Sequence, residues 1–112
     1  METEGGLDSE KQYIARKISR EVSGSKVVLV NICDEELLGT TVKTDQVDMP
    51  ISQEYFGSDK VNEFEALNLV KNSGVVTLVG GRIVSKVVEA NLASKRAVKE
   101  FGNVAFLMIY KF

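Results

Sequence analysis

Three runs of apolar and mostly β-branched residues constrain the fold of this chain more than any other feature. They occupy positions 27–33, 75–79 and 104–110. Such runs are typical of strands buried inside a sheet, whereas a strand with one face in water alternates apolar and polar residues. None approaches the roughly 20 residues that an α-helix needs to cross a bilayer. The sequence therefore predicts three strands, the first of them central in its sheet.

Two helices are predicted between these strands. Asn62 and Glu65 have the spacing of a capping box, and apolar residues recur every three positions at 61, 64, 67 and 70. A second helix follows Gly80-Gly81, with one apolar face at 83, 84, 87, 88 and 92. A further strand is predicted at 40–43. Because strands and helices are interspersed, we expect a single α+β domain over residues 11–112, a mixed β-sheet with two main helices packed on it.

Residues 11–22 carry two competing patterns. Ser9 and Gln12 have capping-box spacing, and apolar residues four apart suit a helix, at Ile14, Ile18 and Val22. The same residues also suit one side of a strand in which they alternate with Arg16 and Arg20. Before this segment, residues 1–10 hold four acids and no base, which predicts a flexible acidic tail unlike a targeting sequence. With one cysteine and no apolar span, we expect a cytoplasmic protein without a membrane partner.

Missing residue types exclude several kinds of active site. The chain has no histidine and a single cysteine, Cys33. It therefore lacks a Ser/His or Cys/His pair, and one chain cannot build a zinc or iron–sulfur site. Neither a P-loop nor a GxGxxG follows a predicted strand. We expect no cofactor, no metal and no catalytic residue, although catalysis by carboxylates, Lys, Arg, Tyr, Ser or Cys33 stays open.

Charge is unevenly distributed along the chain, whose formal net charge is −2. Residues 34–65 carry nine acids against two bases. The bases concentrate in two clusters, which are Arg16, Lys17 and Arg20, and Lys95, Arg96 and Lys99. Arg16 and Arg20 are expected to share a face, as are Lys95 and Lys99. If the clusters converge they form an RNA-binding surface; the alternative is two solvated faces that pair with the acids of 34–65.

The turn formed by Gly80, Gly81 and Arg82 is a candidate anion-binding site. A helix N-terminus offers free N–H groups, glycine lets an anion approach the backbone, and Arg82 adds a positive charge. The alternative is a tight strand-to-helix turn that requires positive φ.

Cys33, Asp34, Glu35 and Glu36 form a second candidate site at the end of a predicted central strand, where α/β proteins often place their sites. The carboxylates suit Mg²⁺ binding or general-base catalysis. The alternative is the acidic first turn of a short helix capped by Asp34, with Cys33 buried as a small apolar residue. The Tyr55-Phe56 pair suits stacking on a base or, alternatively, anchoring in the core.

Three segments carry a family resemblance: residues 31–39 (Asn-Ile-Cys-Asp-Glu-Glu-Leu-Leu-Gly), Tyr55-Phe56-Gly57, and Thr77-Leu78-Val79-Gly80. On these the chain resembles the archaeal family known as domain of unknown function 424. The resemblance implies a β-hairpin before the Cys-Asp corner, which favours a strand for residues 11–20. Two departures stand out, because the family has Asn at the position of Thr77 and a Pro-His-containing stretch where this chain has residues 102–106. Any role of that histidine does not carry over. The resemblance suggests a housekeeping protein near the translation machinery.

The function expected from these features is a non-enzymatic module that contacts RNA or a ribonucleoprotein such as a ribosomal subunit. One alternative is a small enzyme or anion-binding protein that uses the Cys33–Glu36 corner and the Gly80-Gly81 turn. Another is an adaptor whose acidic segment 34–65 meets a basic protein. A pocket that gathers Asp34, Glu35 and Arg82 would favour the enzyme, whereas a continuous basic face would favour the module.

Overall fold

The computed structural model describes residues 12–111. Its strands are β1 (Tyr13–Val22), β2 (Ser25–Asp34), β3 (Thr41–Lys43), β4 (Asp48–Pro50), β5 (Asp59–Val61), β6 (Val75–Val79), β7 (Lys99–Phe101) and β8 (Val104–Tyr110). Its helices are α1 (Gln53–Phe56), α2 (Glu63–Lys71) and α3 (Gly81–Glu89). Two 3₁₀ turns complete the described elements, Glu35–Leu37 and Lys95–Ala97. The predicted acidic tail, residues 1–10, lies outside the described residues. So does Ser9, the first residue of the predicted capping pattern.

Six strands form one mixed sheet in the order β5-β1-β2-β6-β8-β7. The β2–β6 pair is parallel, and the other neighbouring pairs are antiparallel. The three apolar runs lie in β2, β6 and β8, in the middle of this order. The expected α+β fold with a mixed sheet is therefore confirmed. Residues 13–22 are a strand that forms a hairpin with β2, as the family resemblance implied.

Helices α2 and α3 pack on one side of the sheet, which we call the helix face. The buried cluster there contains Ala66 and Val70 of α2, Ile83 and Val87 of α3, and Ile32 of β2. The predicted capping box begins α2, because the Asn62 side chain accepts from the Glu65 N–H and the Glu65 carboxylate accepts from the Asn62 N–H, both at 2.8 Å. The two main helices are thus where the sequence predicted them, on a common face.

The predicted apolar stripe of α2 is wrong at Phe64. This ring is 72% exposed, whereas Ala66 and Val70 are buried. A spacing of exactly three drifts around a helix of 3.6 residues per turn, so Phe64 lies on the water side while positions four apart face the sheet. Short polar strands were also missed: β4, β5 and β7 have only three residues each.

The opposite side of the sheet, the ribbon face, is covered over only part of its area. The two-stranded β3–β4 ribbon and α1 bury a second cluster, which includes Ile14, Cys33, Val79, Ile51 and Phe56. This cover lies over the end of the sheet where β2 and β6 finish. The other end of the ribbon face has no element packed on it among the described residues. Within residues 12–111 no helix is long and apolar enough to cross a bilayer.

Candidate functional site

The first candidate site lies at the carboxyl ends of the parallel strands β2 and β6. The chain leaves β2 toward the ribbon and leaves β6 toward α3, so the strand order reverses at this point, where α/β proteins commonly bind ligands. The Asp34 carboxylate lies here, directly at the N-terminus of α3. Its Oδ2 accepts from the Arg82 N–H and its Oδ1 from the Ile83 N–H, both at 2.9 Å. Asp34 therefore caps α3, and no side-chain cap to its own 3₁₀ turn is present.

The side chain of Arg82 ties three segments together beside this cap. Its Nε and one terminal nitrogen bind the two oxygens of Glu36, at 2.9 and 2.6 Å, and the same terminal nitrogen donates to the Gln12 carbonyl at 2.9 Å. The guanidinium carbon lies 4.7 Å from the centre of the Tyr13 ring. Such a two-pronged pair is the strong form of an Arg–carboxylate contact. The cluster formed by Tyr13, Asp34, Glu36 and Arg82 is therefore connected internally.

The pKa values of Asp34 and of the adjacent Cys33 reflect the burial of both side chains. Burial raises the pKa of the Asp34 carboxyl, against the opposing effect of the N–H groups of Arg82 and Ile83. Burial, with the nearby charges of Asp34 and Glu36, raises the pKa of the Cys33 thiol to about 12. Cys33 is fully buried, as its place in an apolar run predicted. A thiol that stays protonated at neutral pH is a poor nucleophile.

The three neighbouring carboxylates of the Cys33–Glu36 corner diverge. Asp34 caps α3, Glu35 forms an ion pair with Lys60 at 3.0 Å, and Glu36 binds Arg82. Among the described residues no group of three or more Cys, Asp or Glu side chains is arranged to hold a metal ion. Asp34 and Arg82 meet, as the enzyme hypothesis required, but Glu35 points to a different partner. The place expected for an external anion at Gly80, Gly81 and Arg82 is taken by Asp34.

The two basic clusters do not converge. Strand β1 and strand β7 are separated by three other strands, a distance of roughly 19 Å at normal strand spacing. Arg16 and Arg20 share the ribbon face, as expected, whereas Lys17 points to the helix face with the odd-numbered residues of β1. Arg96 is exposed on the second 3₁₀ turn.

The expectation that Lys95 and Lys99 share a face is wrong. Lys95 borders a hollow beside α3, on the helix face, together with Val84 and Val88. Lys99 lies opposite Phe106 in the β7–β8 pair, and Phe106 packs in the ribbon-face cluster. The spacing of four that joins two residues on a helix does not join them here, because a strand begins at Lys99.

The second candidate site is the uncovered end of the ribbon face, which we call the open surface. Pairing across the strands arranges its side chains in rows, because directly opposite residues of neighbouring strands point to the same face. One row contains Arg16, Asn31, Thr77 and Met108; the next contains Ile18, Leu29, Val75 and Tyr110; Arg20 and Val27 follow at the end. Met108 and Tyr110 are 50% and 64% exposed.

Helix α1 forms the border of the open surface. Arg16 donates to the Glu54 carbonyl, and the Asn31 amide donates to the Tyr55 carbonyl at 3.0 Å. Of the pair predicted to stack on a base or to anchor in the core, Phe56 is buried as an anchor, whereas Tyr55 is half exposed. The two rings meet edge to face, with centres 4.9 Å apart.

The acidic strand residues of the six-stranded sheet are confined to the helix face, which also carries Lys17 and Lys26. By strand register, every charged strand residue on the ribbon face is basic: Arg16, Arg20, Lys60 and Lys99. The acidic strand residues all lie on the helix face: Glu21, Asp34, Asp59 and Glu100. Of the four bases, Lys60 has an ion pair, with Glu35; none of the ion pairs among residues 12–111 includes Arg16, Arg20 or Lys99.

The sequence reasoning missed Asn31, Met108 and Tyr110 as surface residues. Each lies within a run that is apolar at nearly every position, so alternation gives no sign of which side meets water. The sequence does hold one signal for this surface, which is that polar or aromatic residues recur at alternate positions of these strands. That signal can be used only when the order of the strands is known.

Comparisons with known proteins agree with this fold. The structure is similar to the crystal structure of an uncharacterized conserved protein from Methanopyrus kandleri, with a TM-score of 0.73 and 21% identity, over 90% of this chain and 92% of that chain. At that identity the likeness concerns the fold alone. A comparison with curated protein sequences gives no match. The family model described as "Protein of unknown function (DUF424)" matches residues 22–112, most of the chain. The chain therefore belongs to this family, the one that residues 31–39 indicated.

Proposed function

We propose that this protein is a non-enzymatic RNA-binding module of the cytoplasm that acts within a ribonucleoprotein such as a ribosomal subunit. One observation carries the proposal: the charged strand residues on the ribbon face are all basic, and the open surface presents Arg16 and Arg20 with no strand carboxylate beside them. RNA phosphates are the polyanion that such a surface attracts. Arginine binds phosphate well because its planar group donates two parallel hydrogen bonds.

The small number of bases on the open surface limits the expected affinity for RNA. Two arginines neutralise at most a few phosphates, and the whole chain carries a net charge of −2. Binding to isolated RNA is therefore expected to be weak and strongly salt-dependent. This favours a protein that meets RNA as one component of a larger assembly over one that binds RNA alone.

The alternatives receive less support from the described residues. Most polar groups of Asp34, Glu36 and Arg82 bind protein partners and hold the fold together, although the second terminal nitrogen of Arg82 is buried without a hydrogen-bond partner. Five of the nine acids of residues 34–65 already take part in ion pairs or caps, which weakens the adaptor hypothesis: Asp34, Glu35, Glu36, Glu63 and Glu65.

The decisive experiment compares Arg20→Glu with Lys17→Glu. Both residues are exposed on β1, three positions apart, but only Arg20 is on the open surface. Both substitutions change the net charge equally. We expect Arg20→Glu to weaken binding to single-stranded RNA and to archaeal ribosomal subunits, and to reduce the slope of log affinity against log salt by about 0.7. Lys17→Glu should leave the slope near that of the wild type.

Thermal unfolding of both variants provides the folding control, because exposed charges contribute little to stability. Arg16→Glu is a second choice, since Arg16 also binds the Glu54 carbonyl. Equal losses in the Arg20 and Lys17 variants would mean that RNA responds to overall charge and not to this face. Absence of wild-type binding to RNA and to ribosomal subunits at low salt would refute the proposed function.

A further inference from the structure

The open surface carries apolar and aromatic side chains that phosphate binding does not use. Its middle row consists of Ile18, Leu29, Val75 and Tyr110, crossing four adjacent strands. Tyr110 is 64% exposed at one end of this row, and Met108 is half exposed in the row beside it. Ile18, Leu29 and Val75 are half-buried, and an apolar strip that stays partly exposed on a sheet is typical of a face that a partner covers.

The position of the apolar row relative to Arg16 and Arg20 indicates the chemistry of that partner. Arg16 and Arg20 lie on β1, and Tyr110 lies on β8, three strands away, or roughly 14 Å at normal strand spacing. A partner that covers the open surface thus meets positive charge at one side and an apolar, aromatic strip at the other. Unpaired nucleotides offer both complements, since each has a phosphate and a flat base.

A duplex fits this arrangement poorly. Its bases are stacked on each other, and A-form RNA presents mainly phosphates and 2′-hydroxyl groups on its outside. The apolar row would then face polar sugar and phosphate groups and would gain no apolar contact. Sequence-tolerant recognition of single strands instead combines basic side chains with aromatic rings on which bases stack.

We propose that the open surface binds unpaired RNA, with a base stacked on Tyr110 and the backbone held by Arg16 and Arg20. This inference rests on the proposed function and adds the class of RNA and the stacking residue. Met108 borders the same base with a polarizable side chain. Because every base has an aromatic face, binding is expected to show little sequence preference.

The test uses the full chain, a short single-stranded RNA of mixed sequence, and the same RNA annealed to its complement. Wild type should bind the single strand more tightly than the duplex. Tyr110→Ala should weaken single-strand binding by about tenfold, the usual loss when one stacking ring is removed. Tyr110→Phe should bind the single strand like the wild type, because the ring is kept. The salt dependence of Tyr110→Ala should equal that of the wild type, because no charge is lost.

Phe64→Ala is the matched control. Phe64 is also a strongly exposed aromatic ring, but it lies on α2, which packs on the helix face. Its removal should leave RNA affinity unchanged. Both rings are exposed, so both alanine variants should melt close to the wild type.

The outcomes separate the two proposals. Equal affinity for single strand and duplex, with Tyr110→Ala binding like the wild type, would overturn the stacking inference and leave RNA binding intact. No wild-type binding to either RNA would refute the proposed function itself. Loss of ribosome association in Tyr110→Ala without any loss of RNA affinity would show that a protein covers this face, which also overturns the inference.

Discussion

The carboxylate of Asp34 occupies the space that a side chain on Gly80 would need. A Cβ atom at Gly80 would lie 2.4 Å from Cγ and from Oδ2 of Asp34. Gly80 also has φ +124°, a backbone conformation that only glycine adopts without strain. The end of β2 is thereby fitted against the junction of β6 and α3. The two adjacent glycines of this turn consequently have different roles.

Gly80→Ala and Gly81→Ala should differ sharply in stability. We expect Gly80→Ala to reduce the free energy of unfolding by at least about 2 kcal/mol, through backbone strain and the displaced Asp34 cap. At Gly81, the first residue of α3, an added Cβ meets no atom within 4 Å. Its replacement by alanine should be neutral or stabilising by up to about 1 kcal/mol. Denaturant unfolding of the pair measures this, and similar losses in both would contradict the assigned contact.

Arg82→Ala should destabilise the fold more than Lys86→Ala on the same helix. Arg82 binds Glu36 and the Gln12 carbonyl and stacks on Tyr13, so its removal should cost about 1–2 kcal/mol. The Lys86–Glu63 ion pair is solvent-exposed at 3.7 Å, and its loss should cost less than about 0.5 kcal/mol. Arg82→Lys should recover only part of the loss, because lysine lacks the two-pronged geometry. Equal effects of the two alanine variants would argue against a structural role of the cluster.

The Cys33 thiol should be almost inert in the folded protein. Burial and neighbouring carboxylates raise its pKa to about 12, so very little thiolate exists at neutral pH. Labelling by a thiol reagent should therefore be far slower under native conditions than in denaturant. Native labelling as fast as in denaturant would instead point to an accessible, reactive cysteine.

The same shift predicts a pH dependence of stability. The folded-state pKa is raised, so the folded protein binds more protons than the unfolded protein above about pH 9. The stabilising contribution of the neutral thiol is thus complete below that pH and is lost as the pH rises toward 12. The difference in unfolding free energy between wild type and Cys33→Ala should shrink over this range. A constant difference would contradict the raised pKa.

Deletion of residues 2–10 should leave the melting temperature unchanged and strengthen RNA binding. These residues carry four acids that repel phosphates and little that can be buried. Calorimetry and salt-titrated RNA binding of the shortened chain measure both effects. A clearly lower melting temperature, or RNA affinity that is unchanged or weaker, would contradict this prediction.

Local patterns in the sequence were sufficient for most of the elements. The β-branched runs predicted β2, β6 and β8, because such residues suit a buried strand in any sheet. The capping box of Asn62 and Glu65 predicted the start of α2, since both of its hydrogen bonds are made within four residues. Alternation along β1 was enough to place Arg16 and Arg20 on a common face, and an apolar run predicted the burial of Cys33.

Tertiary structure alone decided how these elements present their side chains. Asp34 caps a helix that begins more than forty residues later, and no local spacing encodes that contact. The separation of Lys95 from Lys99 and the exposure of Phe64 likewise depend on which surface a neighbouring element covers. The open surface exists because the β3–β4 ribbon and α1 bury only one end of the ribbon face. Hydrophobic periodicity and secondary-structure propensity act over a few residues. The order of the strands and the covering of a sheet face depend instead on contacts between distant segments, and these contacts brought Arg16, Arg20 and Tyr110 onto one surface.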